Sequence, residues 1–349
     1  MTPMSDAAPA TLTLHAELRA LISSARLRAA QAVNSAITLL YWEVGARIRR
    51  DVLKSRRADY GKWIVTALAG KLTAEFGAGF SRRNLFNMVK FAELFPEAEK
   101  VQTLSALLGW SHFTLLLRVD DPIAREFYAE MGRLERWSVR TMQAKIESRL
   151  FLRTALSKKP AILAQEELAA LHERDQLTPD LVFRDPYILD FLGLHDSYSE
   201  KDLEAAILRE IEAFLLELGG GFAFVARQKR MSVDGVDHYL DLLFFHRRLK
   251  RLIAVELKLG DFHPGDKGQM ELYLAWLKEN ETIAGEEPPL GLILCAGKNE
   301  ETVRLLGMNT GQVRVASYVD RIVPQQELKR RLHAAVRSAR EQVAVRPSE

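Results

Sequence analysis

The stretch "HYLDLLFFHRRLKRLIAVELKLGDF", residues His238–Phe262, decides the fold of the second half of the chain. It holds two apolar runs of strand length, separated by the basic segment "RRLKR" at 247–251. Each run carries charge where a buried strand should be apolar: Asp241 in the first, Glu256 and Lys258 in the second. Because burial of an unpaired charge is costly, these side chains must share partners.

Strand periodicity brings the charged residues together. Side chains alternate between the two faces of a strand, so one face of the first run carries Tyr239, Asp241, Leu243 and Phe245, and one face of the second carries Leu252, Ala254, Glu256 and Lys258. The preceding run "FAFVARQKRMSV" (222–233) and the turn "DG" predict a β-hairpin with the first strand. Carboxylates gathered in a strand interior are tolerated if they share a divalent metal, because the cation removes their mutual repulsion.

The segment "SYSEKDLEAAILREIEAFLLELGGG", 197–221, predicts a helix ahead of these strands. Ser199 is its expected N-cap, Asp202 completes a capping box, and the glycines stop the helix. At 100° per residue Glu204 falls within the apolar arc, so Glu204 is the carboxylate that this helix points toward the sheet. The other interpretation is that the helix dipole favours an acid near the N-terminus in any case.

A change of periodicity divides the 349 residues into two domains. Helical spacing up to about residue 156 predicts an all-α domain of five to seven helices, and strand-like runs later predict a mixed α/β domain. The fold class is therefore α+β multidomain. The expected boundaries are an all-α domain at 12–160, a connecting segment at 161–197, an α/β domain at 198–323 and a basic C-terminal helix and tail at 324–349.

The composition excludes several classes of protein. No apolar run reaches the length of a membrane span, and the N-terminus lacks a signal-peptide pattern, so we expect a cytoplasmic protein without membrane contact. The single cysteine, Cys295, excludes internal disulfides and is expected to be buried. Residues 1–175 hold 26 Lys and Arg against 19 Asp and Glu, so the excess positive charge lies in the helical half.

Two basic segments are candidates for contact with nucleic acid. In "GFSRRNLFNMVKFAELFP" (79–96), Ser81 is a plausible N-cap, and the first helical turn would present Arg82, Arg83 and Asn84. On the first hairpin strand, the backbone-contacting candidates are Arg227, Gln228 and Lys229. The alternatives are an ordinary surface helix and a basic strand edge that deters aggregation.

These residues resemble the PD-(D/E)XK nuclease superfamily, and the surrounding sequence is similar to the bacterial YhcG-like nucleases over nearly all of residues 12–325. An acid on a helix, an Asp on a strand and Glu-x-Lys on the next strand carry the resemblance; Leu240 stands where the motif has proline. The resemblance implies a restriction-endonuclease-like domain with a mixed sheet flanked by helices. It implies Mg²⁺ or Mn²⁺ held by Asp241, Glu256 and the Leu257 carbonyl, with Glu204 binding directly or through water.

The same resemblance implies roles for three further side chains. Lys258 would orient or help deprotonate the attacking water and stabilise charge, and Gln269 on the next helix would hold the water or a phosphate oxygen. Tyr273 on that helix is more readily explained by packing. The implied function is a metal-dependent nuclease, most simply on DNA, in genome maintenance or defence against foreign DNA.

Two alternatives to this function stay open at this point. The chain could be an inactive nucleic-acid-binding or assembly protein that keeps the nuclease fold, or RNA could be the substrate. A homodimer or higher oligomer through the helical domain is a further expectation, since double-strand cleavage commonly needs two sites.

Overall fold

The chain forms two compact units, Met1–Ala144 and Lys145–Glu349, in a computed structural model. The structure describes residues 7–52, 58–193, 199–308 and 311–319, together with 332, 336 and 337. Apart from those last three residues, the predicted C-terminal helix lies outside the described part. Among the described helices, none combines the length and the apolar content needed to cross a membrane.

The first unit is all-α, as predicted. Its described helices are α1 (Ala7–Val52), α2 (Ala58–Phe76), α3 (Arg82–Leu94), α4 (Ala98–Ser105), α5 (Trp110–Leu116), α6 (Pro122–Leu134) and α7 (Val139–Glu147), the last of which crosses into the second unit. The predicted apolar side of α3 is confirmed, because Leu85, Met88, Phe91 and Ala92 are buried. Ser81 does precede this helix, although its side chain makes no capping hydrogen bond.

Helices α1 and α3 approach each other closely at Gly45. The core at this crossing comprises Ile48, Val65, Ala69, Leu85 and Met88. A Cβ atom added to Gly45 would overlap the backbone carbonyl of Met88, which belongs to the opposite helix and cannot move aside as a side chain would. Glycine is therefore required here by the helix separation.

We expect Gly45→Ala to lower the free energy of unfolding by about 1–3 kcal/mol, because the new methyl group must push the two helices apart. Thermal and denaturant unfolding of the full chain would measure the change. Gly70→Ala is the matched control, since a Cβ at Gly70 in α2 meets open space. The control should keep or slightly raise stability, and equal losses in both variants would contradict the proposed role of the crossing.

The second unit is a mixed sheet with helices on both faces. Its described elements in chain order are α8 (Leu150–Arg153), α9 (Ala161–Arg174), α10 (Pro179–Val182), β1 (Tyr187–Ile188), α11 (Glu200–Arg209), α12 (Ile211–Leu218), β2 (Phe222–Val233), β3 (Val236–His246), β4 (Arg251–Asp261), α13 (Pro264–Asn280), β5 (Leu290–Gly297), α14 (Glu300–Leu305) and β6 (Val313–Val319). The strand order is β1-β6-β5-β4-β3-β2. Pairings β2–β3 and β3–β4 are antiparallel and the rest are parallel.

The predicted hairpin and the helix before it are present with local differences. Val233 pairs with Val236 across the turn, and Asp234 and Gly235 both have positive φ, as a type I′ turn requires. The single predicted helix is split at Glu210 into α11 and α12. The Ser199–Asp202 capping box is confirmed.

Two apolar cores cover the faces of the sheet. Leu242 and Phe244 lie in the core under α11 and α12, whereas Leu243 lies in the core on the α13 side, where Cys295 is buried as predicted. Leu240 also lies in the α13 core, so the alternation of β3 changes phase at Asp241. The expected placement of Tyr239 on that face is therefore wrong, and its side chain is exposed.

The predicted connecting segment contributes a strand to the sheet. β1 pairs in parallel with β6. Just before β1, the largely buried carboxylate of Asp185 accepts hydrogen bonds from Lys298 Nζ (2.6 Å), Lys158 Nζ (2.7 Å) and the backbone and side chain of Ser317. Burial would raise the pKa of Asp185, but the two ammonium groups hold it well below its usual range. This segment is thus tied to the last strand by charge as well as by pairing.

Candidate active site

Asp241 and Glu256 lie where strands β3 and β4 stop pairing. The antiparallel register ends at Leu242–Val255, so the two acids are the next residues along their strands. One oxygen of Asp241, Oδ2, accepts a hydrogen bond from the backbone N–H of Leu257 at 2.8 Å. The carboxylate therefore takes the place of a backbone carbonyl at the end of the ladder, which explains how β3 accommodates an acid.

Glu204 on α11 is connected to Asp241 through the side-chain amide of Gln228. The side chain of Gln228 donates to Asp241 Oδ1 at 3.0 Å and to Glu204 Oε2 at 2.8 Å. Gln228 has a positive φ of 42°, and the register of β2 shifts between Phe224 and Ala226. The sequence predicts that Gln228 contacts a nucleic-acid backbone. In the structure its amide links the two acids, at the point where β2 is irregular.

The carboxyl group of Glu256 is the most perturbed acid of the site. Burial and, to a smaller extent, the nearby Asp241 raise its pKa to about 7 against the opposing effect of Lys258. Burial likewise raises the pKa of Asp241. Glu256 Oε1 accepts from Lys258 Nζ at 3.3 Å, whereas Oε2 is buried without a hydrogen-bond partner among the described residues. An unsatisfied buried carboxylate oxygen is costly unless a cation or donor meets it.

Lys258 stays positively charged at the edge of this cluster. Burial would lower its pKa, but Glu256, Glu200 and Asp266 raise it overall. Glu200 is a member that sequence reasoning missed: its Oε1 accepts a weak hydrogen bond from the Leu259 N–H at 3.4 Å. The available signal was its spacing, since Glu200 precedes Glu204 by four residues on one helix face.

Gln269 and Tyr273, four residues apart on α13, bond to each other. The amide of Gln269 donates to the Tyr273 hydroxyl at 2.6 Å, and the Tyr273 ring is buried in the α13 core, as the packing interpretation predicted. Burial also raises the pKa of Tyr273. The Gln269 side chain is half-buried, and its catalytic role stays a prediction.

The oxygen-rich donor set suits a hard divalent cation such as Mg²⁺ or Mn²⁺. Asp241 and Glu256 offer adjacent carboxylates, and the bare Oε2 of Glu256 is an oxygen that lacks a donor. In the described residues, however, no three His, Cys, Asp or Glu side chains are close enough together to hold a metal ion. The Gln228 amide stands between Glu204 and Asp241, so Glu204 can join a cation only after that amide moves or through water.

The other nucleic-acid candidates fall into distinct settings. In the first unit, Arg83 and Asn84 line a polar cleft of about 320 Å³, while the Arg82 guanidinium lies over the Phe86 ring. Both amide atoms of Asn84 are engaged, with Trp110 and with the Gly79 carbonyl. In the second unit, Arg227 is exposed and Lys229 forms an ion pair of 2.6 Å with Glu281. Their role in nucleic-acid binding stays a prediction.

Comparison with known families matches both halves of the chain. The YhcG PDDEXK nuclease domain matches residues 180–333, and the DUF1016 N-terminal domain matches residues 17–153. The Escherichia coli (strain K12) protein named "Putative nuclease YhcG" is 38% identical over 316 residues, which cover 82% of this chain and 83% of that protein. The chain belongs to the YhcG family. The predicted fold class and family are thereby confirmed.

Solved structures similar to this YhcG-family chain are more distant. A repair endonuclease from Pyrococcus abyssi is 21% identical, with a TM-score of 0.25, and the match covers 35% of this chain and 49% of that one. Apo EndoMS is 17% identical, with the same TM-score, and the match covers 37% and 48%. The chain spans about half the length of these structures.

The raised pKa of Glu256 predicts a pH-dependent cost of its charge. A carboxyl whose pKa rises from 4.5 to about 7 on folding stabilises the fold at low pH, and that stability is lost as pH rises through about 7. Without divalent cations, Glu256→Gln should therefore raise the free energy of unfolding by roughly 2 kcal/mol at pH 8 and change it little near pH 4.

Denaturant unfolding at the two pH values would measure this difference. The matched control is Glu279→Gln, an exposed glutamate on α13, whose effect should be small and equal at both pH values. A pH-independent effect of Glu256→Gln would show that the charge of this carboxyl is not the destabilising element.

Proposed function

We propose that this protein is a divalent-metal-dependent nuclease that hydrolyses phosphodiester bonds in DNA. The observation that carries the proposal is the arrangement of Asp241, Glu256 and Lys258: a half-buried and a buried carboxylate lie at adjacent strand ends, the lysine bonds to Glu256, and one Glu256 oxygen lacks a donor. The family supports a nuclease; the metal, the DNA substrate and the residue roles are our proposal.

Asp241 and Glu256, with the Leu257 carbonyl, would hold the cation, and Glu204 would join them directly or through water. When bound, a Mg²⁺ or Mn²⁺ ion supplies positive charge at the phosphate and makes a coordinated water more acidic. Binding the ion would also offset the burial that raises the pKa values of both acids and the repulsion by Asp241 that adds to it at Glu256.

Lys258 would supply a positively charged side chain to the proposed reaction. Its ammonium group is positioned by Glu256 and stays protonated, so it can orient the attacking water and stabilise negative charge developing on phosphate oxygens. Gln269 would orient the same water or a phosphate oxygen, with its amide held by the Tyr273 hydroxyl. Gln228 would hold Asp241 and Glu204 in position.

Cleavage assays on duplex, single-stranded and branched DNA and on RNA, with Mg²⁺, Mn²⁺ or EDTA, test the proposal. We expect cleavage of DNA that requires the metal, and a loss of at least about 100-fold in Asp241→Asn and Lys258→Ala, because each removes charge that acts at the phosphate or its water.

Two controls match these variants in chemistry. Asp234→Asn alters an exposed acid in the hairpin turn, where asparagine tolerates the positive φ, and Lys278→Ala removes an exposed lysine near the end of α13. Both should cleave like the wild type. Tight DNA binding without cleavage in any metal would favour the inactive binding protein, and cleavage of RNA alone would overturn the choice of substrate.

The polar cleft of the first unit supports contact with a phosphate backbone. The exposed cations Arg83, Lys90 and Arg118 line it together with the half-buried amide of Asn87, and no acid is among its lining residues. None of these three cations makes an ion pair with a described residue. Cations gathered around amides and hydroxyls bind phosphate oxygens without reading sequence.

Replacing Arg83 or Arg118 with alanine should weaken DNA binding and reduce the dependence of log Kd on log salt concentration by about 1 each, because one phosphate contact is lost. Fluorescence anisotropy across a salt series would measure both quantities. Arg47→Ala is the control, since Arg47 pairs with Asp51 at the surface of α1. An unchanged salt dependence in the cleft variants would remove this cleft from the DNA-binding surface.

A further inference from the structure

Helix α1 carries two apolar faces, and one of them is uncovered. At about 100° per residue, an arc of about 100° contains only Leu, Ile and Ala from residue 14 to residue 40. Leu39 within this arc is half-buried, whereas the other large members are between 45% and 65% exposed: Leu14, Leu18, Leu21, Ile22 and Leu40. We call these residues, with the alanines between them, the α1 stripe.

The opposite side of α1 is the side that packs on the rest of the first unit. There Trp42 Nε1 donates to the Phe95 carbonyl, the hydroxyls of Ser35 and Ser105 lie 3.1 Å apart, and Gly45 abuts Met88. These positions lie roughly 70° to 170° around the helix from the centre of the stripe. The stripe therefore has no part in the core of its own unit.

The first half of α1 has no burial at all among its described side chains. Every residue from 14 to 34 is exposed. A solitary helix in water is marginal, because most helical stability in proteins comes from packing an apolar face. A continuous apolar stripe on such a helix indicates a surface that is covered by another helix.

We propose that the α1 stripe is a self-association surface, on which the α1 helix of a second copy of this chain packs in antiparallel orientation. The exposed area of the stripe is on the order of 800 Å², which is about the share that each partner contributes to a standard specific interface. A second copy offers the same area, so the pair reaches the size of a stable dimer interface.

The order of large and small residues favours a two-fold antiparallel pair. If the axis passes the stripe near residue 27, Leu18 faces Ala36 of the second copy and Ile22 faces Ala32, while Ala25 faces Ala29. Near the axis, large side chains thus meet alanines, which leave room for them, and Leu14 faces Leu40 at each end of the pair. Such self-complementarity is what a two-fold interface between identical chains requires.

Light scattering or sedimentation of the full chain over a range of concentrations tests this proposal. The wild type should have about twice the mass of one chain, and Ile22→Glu should weaken association at least 100-fold, because it places charge in the stripe. Leu27→Glu is the matched control, since Leu27 is 61% exposed on the same helix but lies outside the stripe.

The control variant should associate like the wild type, and circular dichroism should show that it keeps the helix content of the wild type. Equal weakening by both substitutions would overturn the assignment of the surface. A wild type that keeps the mass of one chain at every concentration would overturn self-association and leave the stripe to a different partner.

Oxidative cross-linking tests the orientation. In the antiparallel pair the two copies of residue 14 are about 39 Å apart, and each lies beside residue 40 of the other copy. Leu14→Cys alone should therefore give no disulfide-linked dimer, whereas Leu14→Cys combined with Leu40→Cys should give one. The native Cys295 is buried and does not compete. Cross-linking of the single variant, or none in the double variant, would overturn the antiparallel arrangement.

The self-association is independent of the proposed nuclease activity. Its tests report mass and proximity, and none of the substituted residues belongs to the candidate active site. Loss of cleavage with an intact dimer, or the reverse, would therefore separate the two proposals.

Discussion

The repulsion between Asp241 and Glu256 is the constraint around which the second unit is arranged. Two carboxylates occupy adjacent positions where β3 and β4 part, and burial raises the pKa of each. The two carboxylates are stabilised by hydrogen-bond donors: the backbone N–H of Leu257 and the amide of Gln228 donate to Asp241, and the ammonium of Lys258 donates to Glu256. A sheet without those partners would be more stable with apolar residues at both positions.

The two acids lie where the pairing of β3 and β4 ends. Where this pairing ends, backbone groups and side chains become available to a ligand. The alternation of side chains along β3 is interrupted at Asp241, because Leu240 and Leu243 lie in the same core. The two apolar cores on either side hold the strands in place, so the irregularity is confined to the site. The irregular position Asp241 is thus flanked directly by the buried core residues Leu240 and Leu242.

Much of the fold could be predicted because local patterns and tertiary packing agree. Alternation located Glu256 and Lys258, the "DG" pair located the hairpin, and the apolar arc located Glu204. The link through Gln228 could not be predicted, since it depends on a positive φ in an irregular strand that no residue pattern marks. Neither could the break at Glu210, because the apolar arc continues through it.

The same limit applies to the start of the second unit. The sequence predicts only a connecting segment at 161–197, because β1 is two residues long and too short to show the alternation of a strand. Its place in the sheet is decided by contacts more than 100 residues away in sequence, namely those of Asp185 with Lys298 and Ser317. Such long-range pairings are invisible to a window of neighbouring residues.

The Asp185 cluster has a consequence for how this chain can be divided. One carboxylate joins Lys158, which precedes the sheet, to Lys298 and Ser317, which belong to its end. A fragment starting at α11 would retain every acid of the candidate site, yet Lys298 would lose its ion pair with Asp185 and keep only the longer one with Glu300, and one edge of β6 would lose its pairing with β1. A fragment that keeps these contacts must begin upstream of Lys158, well before the first acid of the site.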